Sequence, residues 1–286
     1  TLVDDHPVIF DCLEFDATLR AIYVMSELAF LIMDLDYRQR PDLGTLALNR
    51  YLEQSGDYEG CALLPFYLVY RALVRAKIEA IRARQTVPES AVCVHSVRAR
   101  DEYLGLARRY IEGKRPWLVL MRGFSGSGKS TVSERLLELS RFVRIRSDAV
   151  RKQLHGLRAD ARSGSAPDAG IYSKQAGELT YQRLADLSAS TLAAGFATLI
   201  DATNLTVSAR RSLMRLASRA GRPAVAVVFE VSLQRCLEQN ASRVDRRVPE
   251  DVVRRHHARL VDSIGRLPDE GFAAIRTLRD ADLPSD

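Results

Sequence analysis

Hydrophobic and polar residues follow two different patterns along the chain, and the change falls near residue 115. Before it, apolar residues recur every three or four positions, as in amphipathic helices. This spacing predicts helices over residues 16–38, 43–56 and 63–84, with Pro41 and Gly44 as a break between the first two. The third predicted helix carries one apolar face that we expect to be core: Phe66, Tyr70, Leu73, Val74, Ile78 and Ile81.

Residues 85–97 lose this period and contain Pro88, which is typical of a linker. A short charged helix is predicted over residues 100–113. We therefore expect a helical segment in residues 1–85, a linker and connecting helix in 86–114, and a second domain in 115–286.

The second domain alternates short strand-like runs with helix-like segments. The runs are WLVLMR (117–122), FVRIRS (142–147), FATLID (196–201), PAVAVVFEV (223–231) and AAIRTL (273–278). Such alternation predicts an α/β fold, a parallel sheet with flanking helices, here preceded by a small all-α segment. In such a sheet the carboxyl ends of the strands share one edge, and ligands bind there.

The segment after the first strand matches the phosphate-binding pattern G-x-x-x-x-G-K-[ST] without a mismatch. Glycines let the backbone curl so that successive N–H groups surround a phosphate, and the following helix adds its positive dipole end. Lys129 is then expected at the β- and γ-phosphates and Ser130 on Mg²⁺. We predict that this P-loop binds a nucleoside triphosphate, ATP, through Gly123, Ser125, Gly126, Ser127, Gly128, Lys129, Ser130 and Thr131.

The remaining motifs separate classes of P-loop protein. An AAA-type motor would end its Walker B strand in Asp-Glu, but here Asp201 is followed by Ala202, Thr203 and Asn204. The sequence also lacks the N-K-x-D of GTPases and the LSGGQ of ABC transporters. A kinase therefore remains the favoured class.

Asp148 and Arg151 directly follow the second predicted strand. A carboxylate at that edge is placed to take the proton of an acceptor hydroxyl, while the arginine offsets phosphate charge. The alternative for Asp148 is a helix N-cap, and the two roles are compatible.

Arg243, Arg246 and Arg247 lie within about one helical turn of each other. They form either a lid that closes over the ATP phosphates or a solvated basic helix. His256 and His257 are expected on the exposed face of the following helix, without a ligand role.

The phrases GFSGSGKST, RSDAVRK, LIDATNL, NASRVDRRVPEDVV and LPDEGF resemble a P-loop kinase group grouped under the name AAA family ATPase. It includes polynucleotide 5′-hydroxyl kinases, zeta-toxin-like sugar-nucleotide kinases and seryl-tRNA kinases. The resemblance covers residues 115–286 and implies ATP and Mg²⁺ as cofactors. It also implies an acceptor-activating Asp148, an acceptor contact at Arg151, Asp201 and Asn204 on the acceptor or metal side, and Arg243 or Arg247 as the lid arginine.

Residues 1–85 resemble the C-terminal lobe of aminoglycoside-phosphotransferase-like proteins, through VIFDCLEFD, SELAFLIMDLD and LNRYLEQSGDYEG. By that resemblance Asp11 is the metal-binding aspartate. The family's H-G-D-x-H-x-x-N loop is missing from this sequence, so we expect the segment to be catalytically inactive here. The tandem order resembles bacterial bifunctional aminoglycoside phosphotransferase/ATP-binding proteins. By that resemblance, Tyr172, Ser173 and Tyr181 would line the acceptor pocket. Ordinary packing is the alternative for all three.

Composition adds little to this picture. The chain has 286 residues, 47% hydrophobic and 27% charged, with a net charge of +6 that fits either ordinary solubility or a polyanionic partner such as RNA. Four scattered cysteines, and no apolar run of transmembrane length or secretion signal, favour a reduced cytoplasmic protein without a membrane partner. The first residue, Thr1, is not methionine, so we expect a piece of a longer protein.

Two functions are compatible with these observations. The first is an ATP-dependent kinase that phosphorylates a hydroxyl of a polynucleotide 5′ end, a sugar nucleotide or a small molecule. The second is an ATP-binding switch or interaction module with weak ATPase activity, which the tandem layout favours. Aminoglycoside resistance is a poor third, because the family's catalytic residues are missing.

Overall fold

A computed structural model describes residues 2–3, 6–7, 22–112, 116–124, 126–166, 169–204, 206–242, 248–265 and 267–283, without the side chains at 2–3, 6–7, 256, 259 and 261–264. Two short antiparallel strands come first, β1 (Leu2–Val3) and β2 (His6–Pro7). Four helices follow: α1 (Val24–Tyr37), α2 (Pro41–Ser55), α3 (Leu64–Gln85) and α4 (Ala91–Ile111). A 3₁₀ turn, Tyr58–Ala62, joins α2 to α3.

The break between α1 and α2 is where the sequence places it, but only Pro41 takes part. Pro41 is the first residue of α2, a position that needs no N–H donor. Gly44 lies inside α2, where an added Cβ would touch the Ile32 side chain at 3.4 Å. The glycine therefore lets α2 approach α1 closely.

The expected core face of α3 is wrong. Phe66 is 65% exposed, and Tyr70, Leu73, Ile78 and Ile81 are also exposed, while Val74 is half-buried. The buried face instead carries Leu64, Leu68, Ala72 and Ala76. Small alanines let α3 pack closely against its neighbours, mainly α4, so the bulkier apolar residues are left on the opposite side.

The second half forms a five-stranded sheet. Its strands are β3 (Leu118–Arg122), β4 (Phe142–Arg146), β5 (Ala197–Asp201), β6 (Ala224–Phe229) and β7 (Ala274–Leu278), all parallel and in the order β4-β5-β3-β6-β7. This confirms the α/β fold class, with all five strands where the pattern placed them.

Six helices of the described chain accompany the sheet. They are α5 (Lys129–Leu139), α6 (Ser147–Leu154), α7 (Lys174–Ala193), α8 (Val207–Arg219), α9 (Leu233–Ala241) and α10 (Glu250–Ile264). Short 3₁₀ turns lie at Gly170–Tyr172, Leu267–Glu270 and Asp280–Asp282. None of the helices in the described part of the chain combines the length and apolar character needed to cross a bilayer.

Both faces of the sheet are covered. Leu120, Ile145 and Ile200 belong to a core that also holds side chains of α7 and α8 and continues into the helical segment. On the opposite face Met121 and Leu199 pack with side chains of α5, α9 and α10. Strand residues that are apolar on both faces are typical of a parallel sheet between two helical layers.

The helical segment docks against β4, which is an edge strand of the sheet. Asn49 of α2 donates from Nδ2 to the Phe142 carbonyl at 2.8 Å and accepts from the Arg144 N–H at 2.6 Å. Its amide thus pairs with the free edge as a neighbouring strand would. At the same interface Asp36 of α1 receives two hydrogen bonds from Arg141, at 2.6 and 2.8 Å.

Candidate active site

Three strand ends bring the candidate residues to one edge of the sheet. Met121 of β3 is in register with Asp201 of β5, and Asp201 is in register with Arg146 of β4. The P-loop follows β3, and α6 with Asp148 follows β4. The structure therefore gathers the phosphate loop and two carboxylates at the carboxyl edge, as expected for a parallel sheet.

The P-loop turns tightly over α9. Gly126 has a φ of +86°, in the left-handed region, and a Cβ there would lie 2.4 Å from the carbonyl oxygen of Cys236. Only glycine fits this position without moving the backbone of α9. Gly123 donates its N–H to the Thr203 carbonyl, and Gly128 lies directly before α5. Ser125, which the sequence predicts as a phosphate contact, lies outside the described residues.

Lys129 bends back over its own loop. Its ammonium group donates to the Phe124 carbonyl at 2.7 Å and to the Ser127 hydroxyl at 3.4 Å. Ser127 is 1% exposed and donates to the same carbonyl, so its side chain holds the loop together. The ammonium group thus lies above the loop, on a flexible stem that lets it turn toward a phosphate.

Ser130, at the start of α5, and Asp201, at the end of β5, form a hydroxyl–carboxylate pair. Ser130 Oγ donates to Asp201 Oδ2 at 3.3 Å, and the neighbouring Thr131 is exposed. Mg²⁺ prefers such hard oxygen ligands and takes one or two from the protein, with the rest from phosphates and water. The two side chains therefore fit the magnesium site that the sequence predicts.

Asp148 occupies the first turn of α6, and its contacts include those with Lys152 and Tyr172. Lys152 Nζ lies 3.1 Å from its Oδ2, and the Tyr172 hydroxyl donates to its Oδ1 at 3.4 Å. The Arg151 guanidinium lies 5.2 Å from the Tyr172 ring centroid, a cation–π contact. Asp148, Arg151 and Tyr172 thus form one cluster, and its contact with an acceptor stays a prediction.

The structure gives the other acceptor candidates supporting positions. Asn204 is 0% exposed with a φ of +46°, and its Nδ2 donates to the Met121 carbonyl at 2.7 Å. Tyr181 accepts the Asn204 N–H at 3.1 Å. Ser173 caps α7 by accepting the Ala176 N–H. These side chains tie the loop after β5 to β3 and α7, while their contact with an acceptor stays a prediction.

Several candidates fall outside the described residues. They include the lid arginines Arg243, Arg246 and Arg247 and the N-terminal Asp11. His257, expected on an exposed face, is half-buried, and its ring meets that of Phe124 edge-on at 5.1 Å. It thus supports the P-loop from α10, a role that only the three-dimensional path of the chain reveals.

Sequence reasoning missed a buried charged group behind Asp201. Arg144 and Arg146 of β4 both reach Glu53 of α2. Burial alone would lower the pKa of Arg146, but the Glu53, Asp201 and Asp148 carboxylates raise it above its ordinary value. Two arginines at alternate positions of an otherwise apolar strand were the available signal, since buried charges need partners.

A second charged group supports the loop after β5. Arg210 of α8 donates to both Glu270 oxygens, at 2.7 and 2.5 Å, and to the Asn204 carbonyl at 2.7 Å. Arg122, at the end of β3, donates to the Leu260 carbonyl. Burial and the nearby Arg210 lower the pKa of Arg122 to about 10. Both arginines are fully buried. They support the site by holding the Asn204 and Leu260 carbonyls in place.

Two solved structures are similar to part of this chain. A gluconokinase from Sinorhizobium meliloti is 20% identical with a TM-score of 0.41, over 60% of this chain and 86% of its own. APS kinase CysC from Mycobacterium tuberculosis, solved with AMPPNP and APS, is 26% identical with a TM-score of 0.35, over 45% of this chain and 70% of its own.

Curated relatives match a longer stretch. Uncharacterized proteins of Mycobacterium tuberculosis and Mycobacterium bovis are 35% identical over 202 residues, which is 71% of this chain. The chain spans 39% of the length of these relatives. A family model described as AAA domain matches residues 118–267, just over half of the chain and the whole of the sheet except β7. The chain belongs to the AAA domain family.

Proposed function

We propose that the protein is an ATP-dependent kinase that transfers the γ-phosphoryl group to a hydroxyl acceptor. The observation that carries this proposal is the carboxyl edge of the sheet. There the Ser130–Asp201 pair borders the P-loop. Asp148 lies in the first turn of the helix that follows β4, the strand next to β5, and forms a cluster with Arg151 and Tyr172. A hydrolytic motor would instead need a second carboxylate beside Asp201 to activate water, and Ala202 stands there.

The P-loop holds the donor. Its main-chain N–H groups, the start of α5 and the Lys129 ammonium group supply positive charge to the β- and γ-phosphates. Lys129 exchanges its bond to the Phe124 carbonyl for phosphate oxygen when ATP enters. These contacts orient the γ-phosphorus toward the acceptor side and balance the charge that develops on the leaving ADP.

Asp148 activates the acceptor. Its carboxylate takes the hydroxyl proton as the acceptor oxygen bonds to the γ-phosphorus and the bond to the bridging β–γ oxygen breaks, giving phosphorylated acceptor and ADP. The long 3.4 Å bond from Tyr172 is readily exchanged for one from the acceptor hydroxyl. The Lys152 ammonium group lies 3.1 Å from Asp148 Oδ2 and holds this carboxylate in position.

Mg²⁺ would be held by Ser130 and Asp201, and when bound it neutralises phosphate charge. The acceptor candidates remain a polynucleotide 5′-hydroxyl, a sugar nucleotide or a small molecule. Arg151, in cation–π contact with Tyr172, offers a guanidinium group near Asp148 that suits an acceptor carrying its own phosphate.

The test incubates γ-labelled ATP and Mg²⁺ with RNA and DNA 5′-hydroxyl ends, tRNA, UDP-N-acetylglucosamine and simple sugars. On the active acceptor, Asp148→Asn should lower kcat by about 10²–10⁴-fold, the usual contribution of a general base. Asp160→Asn is the matched control, since Asp160 is exposed and pairs with Arg158 outside this cluster. Labelled product that forms equally with Lys129→Ala would overturn the assignment.

A second function, an ATP-binding switch with weak ATPase activity, is favoured by one observation. The helical segment contacts residues directly behind Asp201 through Glu53, so nucleotide occupancy and the helical segment are physically connected. Slow ATP hydrolysis that is insensitive to Asp148→Asn, without transfer to any acceptor, would favour the switch over the kinase.

A further inference from the structure

Glu53 is a carboxylate of the helical segment that lies between two arginines of the nucleotide-binding domain. Its Oε2 accepts from Arg144 Nη2 at 3.4 Å, and its Oε1 pairs with Arg146 Nη1. The Glu53 side chain is 9% exposed and that of Arg144 is 4% exposed. One buried carboxylate from α2 thus balances two guanidinium groups of β4.

The contacts continue from Arg144 to the candidate magnesium ligands. Arg144 Nη1 donates to the Ser133 hydroxyl at 3.0 Å. That hydroxyl lies 3.3 Å from Asp201 Oδ2 and 2.9 Å from the Ser130 carbonyl, so its hydrogen serves one of these oxygens. A continuous path of polar contacts therefore runs from Glu53 to Asp201 Oδ2 and to the main-chain carbonyl of Ser130.

Main-chain contacts fix Glu53 and its surroundings in place. Gln153 of α6, the helix that carries Asp148, donates to the Glu53 carbonyl at 2.9 Å. The Tyr58 hydroxyl, next in the helical segment, donates to the Arg144 carbonyl at 3.3 Å. Glu53 is thus held against β4 and α6 together, rather than resting loosely on the domain surface.

The balance of charge decides what Glu53 does. Without its carboxylate, the positive charges of Arg144 and Arg146 would act on Asp201, which already faces Arg146 across β4 and β5. Two uncompensated cations beside Asp201 would compete electrostatically with a divalent cation at the same carboxylate. Mutation of residues that orient metal ligands commonly lowers the affinity for the metal by about 10- to 100-fold.

We propose that Glu53, from the helical segment, is a positioning residue for the nucleotide–magnesium site, acting on Asp201 and Ser130 through Arg144, Arg146 and Ser133. The proposal rests on the proposed function, since it requires ATP and Mg²⁺ at the P-loop. It makes the helical segment a working part of the nucleotide site.

The experiment measures the affinity of the full chain for a non-hydrolysable ATP analogue by isothermal titration calorimetry, with Mg²⁺ and with EDTA. The readout is the factor by which Mg²⁺ tightens binding. Glu53→Gln should reduce this factor by about tenfold or more, with little change in EDTA. Glu53→Asp, which keeps the charge, should retain part of the factor.

The matched control is Asp36→Asn. Asp36 is also a buried carboxylate of the helical segment and pairs with Arg141 at the same interface, but none of its described contacts leads to Asp201. It should lower stability and leave the Mg²⁺ factor at the wild-type value. Equal loss of the factor in Asp36→Asn and Glu53→Gln would show a merely structural role and overturn the proposal.

Ser133→Ala guards against a Glu53→Gln variant that does not fold, because it removes only the hydroxyl in the middle of the path. It should reduce the Mg²⁺ factor in the same direction, and a wild-type factor in Ser133→Ala would overturn the proposal.

Lys129→Ala separates the proposed function from the inference about Glu53. If it weakens binding while Glu53→Gln and Ser133→Ala keep the wild-type factor, the inference fails alone. If wild type binds no nucleotide, both fail.

Discussion

The substitution Gly126→Ala tests the packing of the P-loop on α9. Two costs arise in the structure. The φ of +86° places Gly126 in the left-handed region, which costs an alanine about 1–2 kcal/mol. The new Cβ would also lie 2.4 Å from the Cys236 carbonyl oxygen and 3.1 Å from its carbon, so main chain must move. Overpacking of this kind costs about 1–3 kcal/mol, giving about 2–5 kcal/mol together.

Gly195→Ala separates these two costs. Gly195 has a φ of +85°, nearly the same conformation, but an added Cβ there meets nothing within 4 Å. It lies after α7, away from the P-loop, so only the conformational cost of about 1–2 kcal/mol should appear. The difference between the variants therefore measures the contact of the loop with α9.

Thermal unfolding and nucleotide titration give the measurement. Gly126→Ala should melt several degrees below Gly195→Ala, since a domain of this size loses about 2–4 °C per kcal/mol. It should also bind the ATP analogue more weakly, because any relief of the clash moves the phosphate-binding N–H groups. Equal melting temperatures and equal affinities in the two variants would refute the described loop geometry.

Three further predictions concern the frame of the site. Asn49→Ala should lower the free energy of unfolding by about 2–5 kcal/mol in urea melts, because two buried main-chain groups of the edge strand lose their partner; a change below about 0.5 kcal/mol, the level of an ordinary surface substitution, would contradict the docking. Arg210→Ala should cost about 3–5 kcal/mol, since it leaves Glu270 buried without its bidentate partner, and a wild-type melt would refute this. Burial raises the pKa of Cys61 from 9.0 to about 12, so its contribution to stability is complete below pH 9 and is lost as the pH rises toward 12. Wild type should therefore lose stability relative to Cys61→Ala between pH 8 and pH 11, and parallel pH profiles of the two would contradict the assignment.

Local features of the sequence predicted much of the fold. All five strands of the sheet lie where apolar runs predicted them, because strands buried on both faces leave an uninterrupted apolar signature. The P-loop was equally readable, since its glycines and Lys129 are adjacent in the chain. The sequence also named Asp148, Arg151 and Tyr172 as acceptor-side candidates, but their mutual contacts came from the structure, and the acceptor role stays a prediction.

Helix faces and long-range pairs were less predictable. Phe66 and Tyr70 of α3 have the spacing of a core face, yet Ala72 and Ala76 are buried in their place. Periodicity shows that a helix has an apolar stripe, but a helix with apolar residues on two sides leaves the choice of side to its neighbours. Nothing local distinguishes the two faces here.

The sequence by itself determined the succession of strands and helices along the chain, the phosphate loop and the carboxylate at the end of β5. Each of these depends on residues that are close together in the chain. The tertiary structure alone decided that Glu53 of the helical segment faces Arg144 and Arg146, more than ninety positions away. It also decided that the Asn204 amide donates to the Met121 carbonyl and so ties the loop after β5 to β3. The physical reason is that local propensity acts over a few residues, whereas a buried charge or amide is satisfied by whichever partner the packing of distant elements brings within reach.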